Sequence, residues 1–182
     1  MSFLSNGQPV SAEDILDARE LRAQRLEDLT SEYPQRTLLS FKLNIPGSIK
    51  AHPILDLVFD QALTKITEQL TEFKIHDLSE KNTGPELILS TSLPAKKTKG
   101  LMIAIEESEP IGRLYDIDVV YRGLALSRSQ FSIPDRPCLV CSRSARICSR
   151  SKAHSLTDVL NVVEHLIFHD KKLAARLKEI RD

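Results

Sequence analysis

Hydrophobic residues recur at intervals of three and four positions in several stretches of the chain, which is the pattern of helices with one buried face. This spacing predicts helices over residues 11–33, 53–73, 155–167 and 171–180. Ser11 and Ser155 stand at the starts of the first and third segments, where a hydroxyl can accept a hydrogen bond from a free backbone N–H. Pro34 ends the first helix, because the residue before a proline disfavours helical backbone angles.

Other stretches alternate between apolar and polar residues, as β-strands with one buried face do. Strands are predicted over residues 39–45, 86–93, 101–107, 114–121 and 125–133. Residues 134–152 follow neither period and are predicted to be irregular. This order of elements favours an α+β fold in which helices pack on an antiparallel or mixed sheet. We expect one domain over residues 1–182, with residues 1–10 flexible.

The composition narrows the classes of function. The chain has 182 residues, of which 41% are hydrophobic, and its formal net charge is zero. A protein with no net charge is not expected to bind nucleic acids non-specifically, since such binding requires a basic surface. The chain has no run of about 18 apolar residues that could cross a membrane, and its N-terminus lacks the features of a signal peptide. A cytoplasmic location is therefore expected.

The segment with the clearest chemistry is the predicted strand that contains Asp116 and Asp118. Residues two apart on a strand point to the same side of the sheet, so these two carboxylates lie together. Two close negative charges repel each other unless a cation lies between them, and Mg²⁺ is the usual cation where phosphates react. Glu106 or Glu107 could add a third carboxylate from the preceding strand, and we favour Glu106. The alternative is an exposed strand face with two solvated aspartates.

A local excess of positive charge surrounds and follows this strand. Seven basic residues and one acid lie between Arg122 and Lys152, which indicates an anion site within a neutral protein. Gly112 would allow the backbone to approach a phosphate closely, and Arg113 could bind one through two hydrogen bonds. A solvated basic surface is the alternative.

The three cysteines lie within eleven residues of one another, and a histidine follows them. Cys138, Cys141, Cys148 and His154 supply four ligands of the type that binds zinc. Only the first gap is typical of a zinc knuckle, so two other interpretations stay open. The thiols could be buried core residues, or His154 could contact phosphate. An odd number of cysteines in a reducing compartment argues against a disulfide framework.

Taken in order, five short segments resemble one known family. They are residues 44–50 (NIPGSIK), 110–119 (PIGRLYDIDV), 126–128 (LSR), 137–141 (PCLVC) and 148–150 (CSR), the last followed by His154. The sequence is similar to the citrate lyase holo-acyl-carrier-protein synthases, which are also called apo-citrate lyase phosphoribosyl-dephospho-CoA transferases. The resemblance is collinear over residues 38–166.

The resemblance implies an enzyme that transfers 2′-(5″-triphosphoribosyl)-3′-dephospho-CoA to a serine of the acyl-carrier (gamma) subunit of apo-citrate lyase. A phosphodiester forms and diphosphate leaves. By analogy with polymerase-beta-like nucleotidyltransferases, Asp116 and Asp118 would be catalytic and would hold Mg²⁺. A triphosphate also needs cationic side chains to bind it. The candidates are Lys50, Arg113, Arg128, Arg136 and Arg150.

Two other functions fit the same residues. The chain could serve another carrier protein, such as that of malonate decarboxylase, with a similar site and a different acceptor. It could also be a zinc-stabilised binding module without catalytic activity, in which the aspartates are structural. Neither a nucleic acid nor a membrane is expected as a partner in any of these cases.

Overall fold

The protein is built around a five-stranded sheet. A computed structural model describes residues 7–179, apart from the side chains of Glu80, Lys178 and Glu179. The strands are β1 (Thr37–Leu43), β2 (Phe73–Lys81), β3 (Gly84–Thr91), β4 (Tyr115–Tyr121) and β5 (Leu124–Ala125). Their order across the sheet is β2-β3-β1-β4-β5, and each neighbouring pair is antiparallel. The predicted α+β class is confirmed.

Helices pack around this sheet. Those in the described residues are α1 (Ala12–Glu32), α2 (Pro53–Glu68), α3 (Ala95–Ser108), α4 (Ala145–Arg150), α5 (Leu156–Phe168) and α6 (Lys171–Glu179). Two short 3₁₀-helices, Pro110–Leu114 and Arg128–Phe131, precede β4 and follow β5. Ser11 and Ser155 cap α1 and α5 as predicted, since each hydroxyl accepts a hydrogen bond from the backbone N–H three residues on. None of these helices combines the length and the apolar character that crossing a bilayer requires.

The two faces of the sheet differ in how they are covered. One face forms the larger core with α2, α3 and α5, and its buried strand residues include Phe41, Leu87, Leu89, Ile117 and Val119. On the other face a smaller cluster forms where Leu29 of α1 packs near Val120. Asp116 and Asp118 alternate with buried residues of the first face and therefore lie on the second. The larger core thus holds β4 in position through one face of the strand. The opposite face of β4 carries the two aspartates.

Two of the predicted strands are wrong. Residues 101–107 lie in α3, where Met102, Ile103 and Glu106 are buried. A short unbroken apolar run has no clear period, and here a helix buries it against the sheet. Residues 125–133 contain only the end of β5, followed by a 3₁₀-helix that Ser127 and Gln130 cap with reciprocal hydrogen bonds.

Two elements were not predicted. β2 lies at the edge of the sheet, and a bulge between Ile75 and Asp77 interrupts its alternation. The helix predicted over residues 53–73 consequently runs too far, because α2 ends at Glu68. α4 has six residues, too few to show a helical period. Of residues 1–10, which were predicted to be flexible, residues 1–6 lie outside the described residues, as does the helix end predicted at Ile180.

Candidate functional site

Asp116 and Asp118 project from the same face of β4. Their partners across the sheet on β1 are Lys42 and Ser40, respectively. The Lys42 ammonium donates a hydrogen bond to the Asp116 carboxylate and forms an ion pair with it. Asp118 is exposed to solvent. One carboxylate of the pair is therefore already matched by a cation, and the other faces an open cleft.

The two carboxyl groups differ in their tendency to ionise. Partial removal of water raises the pKa of Asp118, and the charge of Asp116 raises it further. Desolvation is also the largest single influence on Asp116, but the positive charges of Lys42, Arg136 and Arg22 together outweigh it and lower the pKa of Asp116 below its ordinary value. A cation bound between the carboxylates would relieve their repulsion, so the pair is suited to hold a metal ion.

The outer edge of β4 has no strand partner beside the aspartates, because β5 pairs only with Val120 and Tyr121. Two charged side chains of α3 take the place of the missing strand. The Ile117 N–H donates a hydrogen bond to Glu106 Oε1 at 3.1 Å, and Lys99 Nζ donates one to the Ile117 carbonyl at 3.2 Å. Both backbone groups of the residue between the aspartates are satisfied, which holds the strand in place.

Glu106 also connects this strand to two arginines. Its side chain is 4% exposed and forms ion pairs with Arg128, at 2.7 Å, and with Arg136. Arg128 makes a further ion pair with Glu107 at 2.5 Å. A buried carboxylate needs such partners, because an unpaired charge in the interior is strongly destabilising. Glu106 thereby fixes two guanidinium groups close to the aspartate strand.

These side chains line an open cleft of about 600 Å³, which we call the arginine cleft. Its acidic lining residues are Glu106, Asp116, Asp118 and Asp135. Its basic lining residues are Lys99, Arg128, Arg136 and Arg146. Several cations around a metal-binding carboxylate pair suit a ligand with several negative charges, such as a polyphosphate.

A second cleft, of about 400 Å³, shares Asp116 and Asp118 with the first. We call it the α1 cleft, because Ile15, Arg19 and Arg22 of α1 form one wall. Its other charged lining residues are Lys42, Lys50 and Glu86. Arg22 forms an ion pair with Glu86, and Lys50 donates a hydrogen bond to the Ile45 carbonyl. Lys50, a predicted substrate ligand, thus lies in this second cleft.

Three other predicted substrate ligands are not among the residues that line the arginine cleft. A Cβ on Gly112 would lie 2.5 Å from the Glu106 carbonyl oxygen, so the glycine lets the first 3₁₀-helix pack tightly on the end of α3. Arg113 donates hydrogen bonds at 2.7 and 2.9 Å to two carbonyl groups of the segment that carries the cysteines. Arg150 is exposed at the end of α4. Contacts of these three residues with a substrate stay predictions.

Five cleft cations were missed among the predicted site residues, two of which are Arg19 and Arg22 of α1. Lys42 shares its strand face with Ser40, but the register that brings it opposite Asp116 cannot be read from β1 alone. Lys99 lies on a helix that was predicted in part as a strand. Arg146 was counted within the basic segment and not selected from it. In each case the missing information was a contact between distant segments.

The cysteines and the histidine form a compact group. The potential ligand atoms of Cys138, Cys141, Cys148 and His154 all lie within 4.8 Å of one another. Cys141 Sγ is 3.6 Å from Cys148 Sγ and 3.3 Å from His154 Nε2. Hydrogen bonds from Arg143 lower the pKa of Cys141 to about 6, which favours the thiolate form that a metal requires. The prediction that these four residues could bind a metal ion is confirmed in its geometry.

The cysteine group supports one wall of the arginine cleft. The Cys138 N–H donates a hydrogen bond to the Arg143 carbonyl, and the Ala145 N–H donates one to the Arg136 carbonyl. Arg136 thus immediately precedes the cysteine segment, and Arg146 lies within it. The described residues contain no second group of at least three histidine, cysteine or carboxylate side chains gathered in this way, so Glu106 does not form one with the aspartates.

The sequence is similar to one protein family and to individual bacterial proteins. A family model described as apo-citrate lyase phosphoribosyl-dephospho-CoA transferase matches residues 10–170. A probable apo-citrate lyase phosphoribosyl-dephospho-CoA transferase of Streptococcus pyogenes serotype M18 is 39% identical over 89% of this chain and 88% of its own. An apo-citrate lyase phosphoribosyl-dephospho-CoA transferase of Shigella flexneri serotype 5b is 36% identical over 90% of this chain and 92% of its own. Protein CitXG of Haemophilus influenzae is 36% identical over 91% of this chain, which corresponds to 36% of its own length.

Proposed function

Because the chain belongs to the apo-citrate lyase phosphoribosyl-dephospho-CoA transferase family, we propose that it attaches the 2′-(5″-triphosphoribosyl)-3′-dephospho-CoA prosthetic group to a serine of the citrate lyase acyl-carrier subunit. The observation that supports this most is that the family match covers residues 10–170 and so includes every residue that lines the arginine cleft. A cytoplasmic location is part of the proposal, since the three cysteines are free thiols.

The reaction is the displacement of diphosphate by a hydroxyl group. The serine Oγ forms a bond to the α-phosphorus of the donor, the bond between that phosphorus and the diphosphate breaks, and the serine proton is released to water. Such transfers depend on the position of the reacting groups and on neutralisation of the charge on the phosphate oxygens. Arg128, Arg136 and Arg146 line the arginine cleft and would neutralise this charge.

Asp116 and Asp118 are suited to hold Mg²⁺, because carboxylate oxygens on an open strand face match the hard ligands that this ion prefers. When bound, the ion would neutralise phosphate charge and activate the attacking hydroxyl. The Glu106 oxygens already accept from the Ile117 N–H and pair with two arginines. These contacts favour a positioning role for Glu106 over the predicted role of third metal ligand.

Replacement of Arg146 by alanine should raise the KM for the triphosphate donor about 10-fold or more. Arg146 is exposed and lines the arginine cleft, and a hydrogen bond to a charged group contributes about 1.5–3 kcal/mol. Steady-state kinetics with varied donor measure the effect. Arg150→Ala is the matched control, because Arg150 is also exposed and lies one turn further along α4 but does not line the arginine cleft. If Arg150 binds the substrate, as the sequence predicts, its replacement should have an equal effect. Equal effects of the two variants would contradict the placement of the triphosphate.

Replacement of Glu106 by glutamine should raise the donor KM about 10-fold, because Arg128 and Arg136 lose the charge that holds them. Glutamine keeps an oxygen that can accept from the Ile117 N–H, so the strand should stay in place. If Glu106 only positions the two arginines, Mg²⁺ should still raise the melting temperature of the Glu106→Gln variant. If Glu106 were a metal ligand, that response to Mg²⁺ would be lost.

The cysteine–histidine group is suited to bind Zn²⁺. Tetrahedral bonds of about 2.3 Å place sulfur ligands about 3.8 Å apart. The Cys141 and Cys148 sulfur atoms are 3.6 Å apart, which is close to this separation. With four protein ligands the coordination would be complete, so the zinc would be structural. Its effect on catalysis would be indirect, through the cleft wall that carries Arg136 and Arg146.

The proposed function is tested by mass spectrometry of the apo carrier protein of citrate lyase. The carrier is incubated with this protein, Mg²⁺ and the triphosphate donor, and diphosphate is assayed in parallel. We expect the carrier to gain the mass of one phosphoribosyl-dephospho-CoA group for each diphosphate released. The carrier of malonate decarboxylase is the acceptor control. A gain of mass on that carrier alone would assign a different acceptor, and no gain on either would refute the proposal.

A further inference from the structure

Two clefts meet at the aspartate pair, one on each side of β4. The arginine cleft is lined by α3 and by segments that follow β4 in the chain. The α1 cleft is lined by α1, β1 and β3. Asp116 and Asp118 contribute to both linings. A molecule held in one cleft can therefore meet a molecule held in the other at these two carboxylates.

The geometry of phosphoryl transfer makes use of such an arrangement. The attacking oxygen and the departing group lie roughly in line, on opposite sides of the reacting phosphorus. With the triphosphate among Arg128, Arg136 and Arg146, the diphosphate departs within the arginine cleft. The attacking hydroxyl then has to approach from the other side of β4, which is the side of the α1 cleft.

The surface of α1 beside this cleft has the pattern of a helix that contacts another protein. Exposed residues at helical spacing form a stripe, which we call the α1 stripe: Ala12, Ile15, Leu16, Arg19 and Ala23. Leu16 is 56% exposed although it is a large apolar residue. Ile15 and Arg19 also line the α1 cleft, so the stripe is continuous with it. Burial of such a stripe against a partner is favourable.

We propose that the acceptor carrier protein docks on the α1 stripe and presents its serine to Asp116 and Asp118 through the α1 cleft. This inference rests on the proposed function, from which it takes the identity of the acceptor. Ile15 and Leu16 would pack on an apolar patch of the carrier. The exposed Arg19 could pair with an acidic side chain of the carrier, since complementary charge orients an encounter.

Replacement of Leu16 by glutamate should raise the KM for the apo carrier protein at least about fivefold, as expected when a central interface residue is lost. The KM for the triphosphate donor should not change, because the donor lies on the other side of β4. Leu21→Glu is the matched control. Leu21 lies on the same helix and is 66% exposed, but it lines a different cleft, together with Lys81 and Asn82. The same substitution there should leave both KM values unchanged.

Direct binding gives a second measurement that does not depend on turnover. The binding partner is a carrier protein whose acceptor serine is replaced by alanine. It should bind the Leu16→Glu and Arg19→Glu variants of this protein at least about fivefold more weakly than it binds the wild-type protein. It should bind the Leu21→Glu variant as tightly as the wild type. Transfer by the wild type with an unchanged carrier KM in Leu16→Glu would overturn the docking site alone. An equal rise for Leu21→Glu would overturn it as well. A wild-type protein that neither modifies nor binds the carrier would overturn the proposed function itself.

Discussion

Replacement of Asp116 or Asp118 by asparagine should lower the rate constant of transfer at least about 100-fold, the scale of loss seen when a key electrostatic element of an active site is removed. Asparagine preserves the shape of the side chain and removes the negative charge that binds a cation. Lys42 now pairs with Asp116 and would be left without that partner in Asp116→Asn. The measurement is kcat at saturating donor and carrier, over a range of Mg²⁺ concentrations.

Asp135→Asn is the matched control for these two variants. Asp135 is an exposed carboxylate that lines the same cleft but lies outside β4, so its loss should leave kcat near normal. A second readout does not depend on activity. Mg²⁺ should raise the melting temperature of the wild type and of Asp135→Asn, because a ligand that binds the folded state stabilises it. Asp116→Asn and Asp118→Asn should show no such rise, and near-normal rates in both would show that the metal assignment is wrong.

Loss of the proposed zinc ion from the cysteine–histidine group should strongly destabilise the fold. Replacement of the buried Cys148 by alanine should abolish zinc binding and lower the free energy of unfolding by at least about 4 kcal/mol. The reason is that the proposed coordination bonds would hold a segment with little regular structure, in which α4 is the one helix. Elemental analysis of protein purified without chelator should find about one zinc per chain in the wild type and none in the variant.

Ser149→Ala is the control for this change, since it alters an exposed neighbour on the same helix and should affect neither zinc content nor stability. The competing interpretation, in which the three thiols are simply buried, predicts a different result. Without zinc in the wild type, Cys148→Ala would remove a small buried side chain and cost about 1 kcal/mol. Absence of zinc together with such a small loss would establish the buried-thiol interpretation.

Features that depend on neighbouring residues could be predicted from the sequence. Asp116 and Asp118 share a face because side chains alternate along any strand. The cysteines and His154 come together because a short segment needs only one turn and one helix to close on itself. The family was identified from segments whose order and spacing are properties of the sequence alone.

Other features of the site depended on pairings between distant segments. Lys42 and Asp116 are 74 positions apart and meet only because β1 pairs with β4 in one register. A shift of two residues would keep every side chain of β1 on its face but bring Lys42 opposite Asp118 or Leu114, and the alternation within β1 does not distinguish these registers. The same applies to the α1 cleft, whose walls come from three separate parts of the chain.

Glu106 is a residue whose location was predicted in part from the sequence and decided in part by the tertiary structure. Its nearness to the aspartate strand was predicted, but from a preceding strand that is in fact part of α3. Tertiary structure placed it on α3 instead, because the apolar residues around it are buried better by a helix on the sheet. There its carboxylate completes the unpaired edge of β4 and holds two arginines. The sequence by itself determined which chemical groups are present and which neighbours share a face, because those follow from local periodicity. Only the packing of helices on the sheet decided which cations and clefts surround the aspartates, because long-range burial selects those contacts.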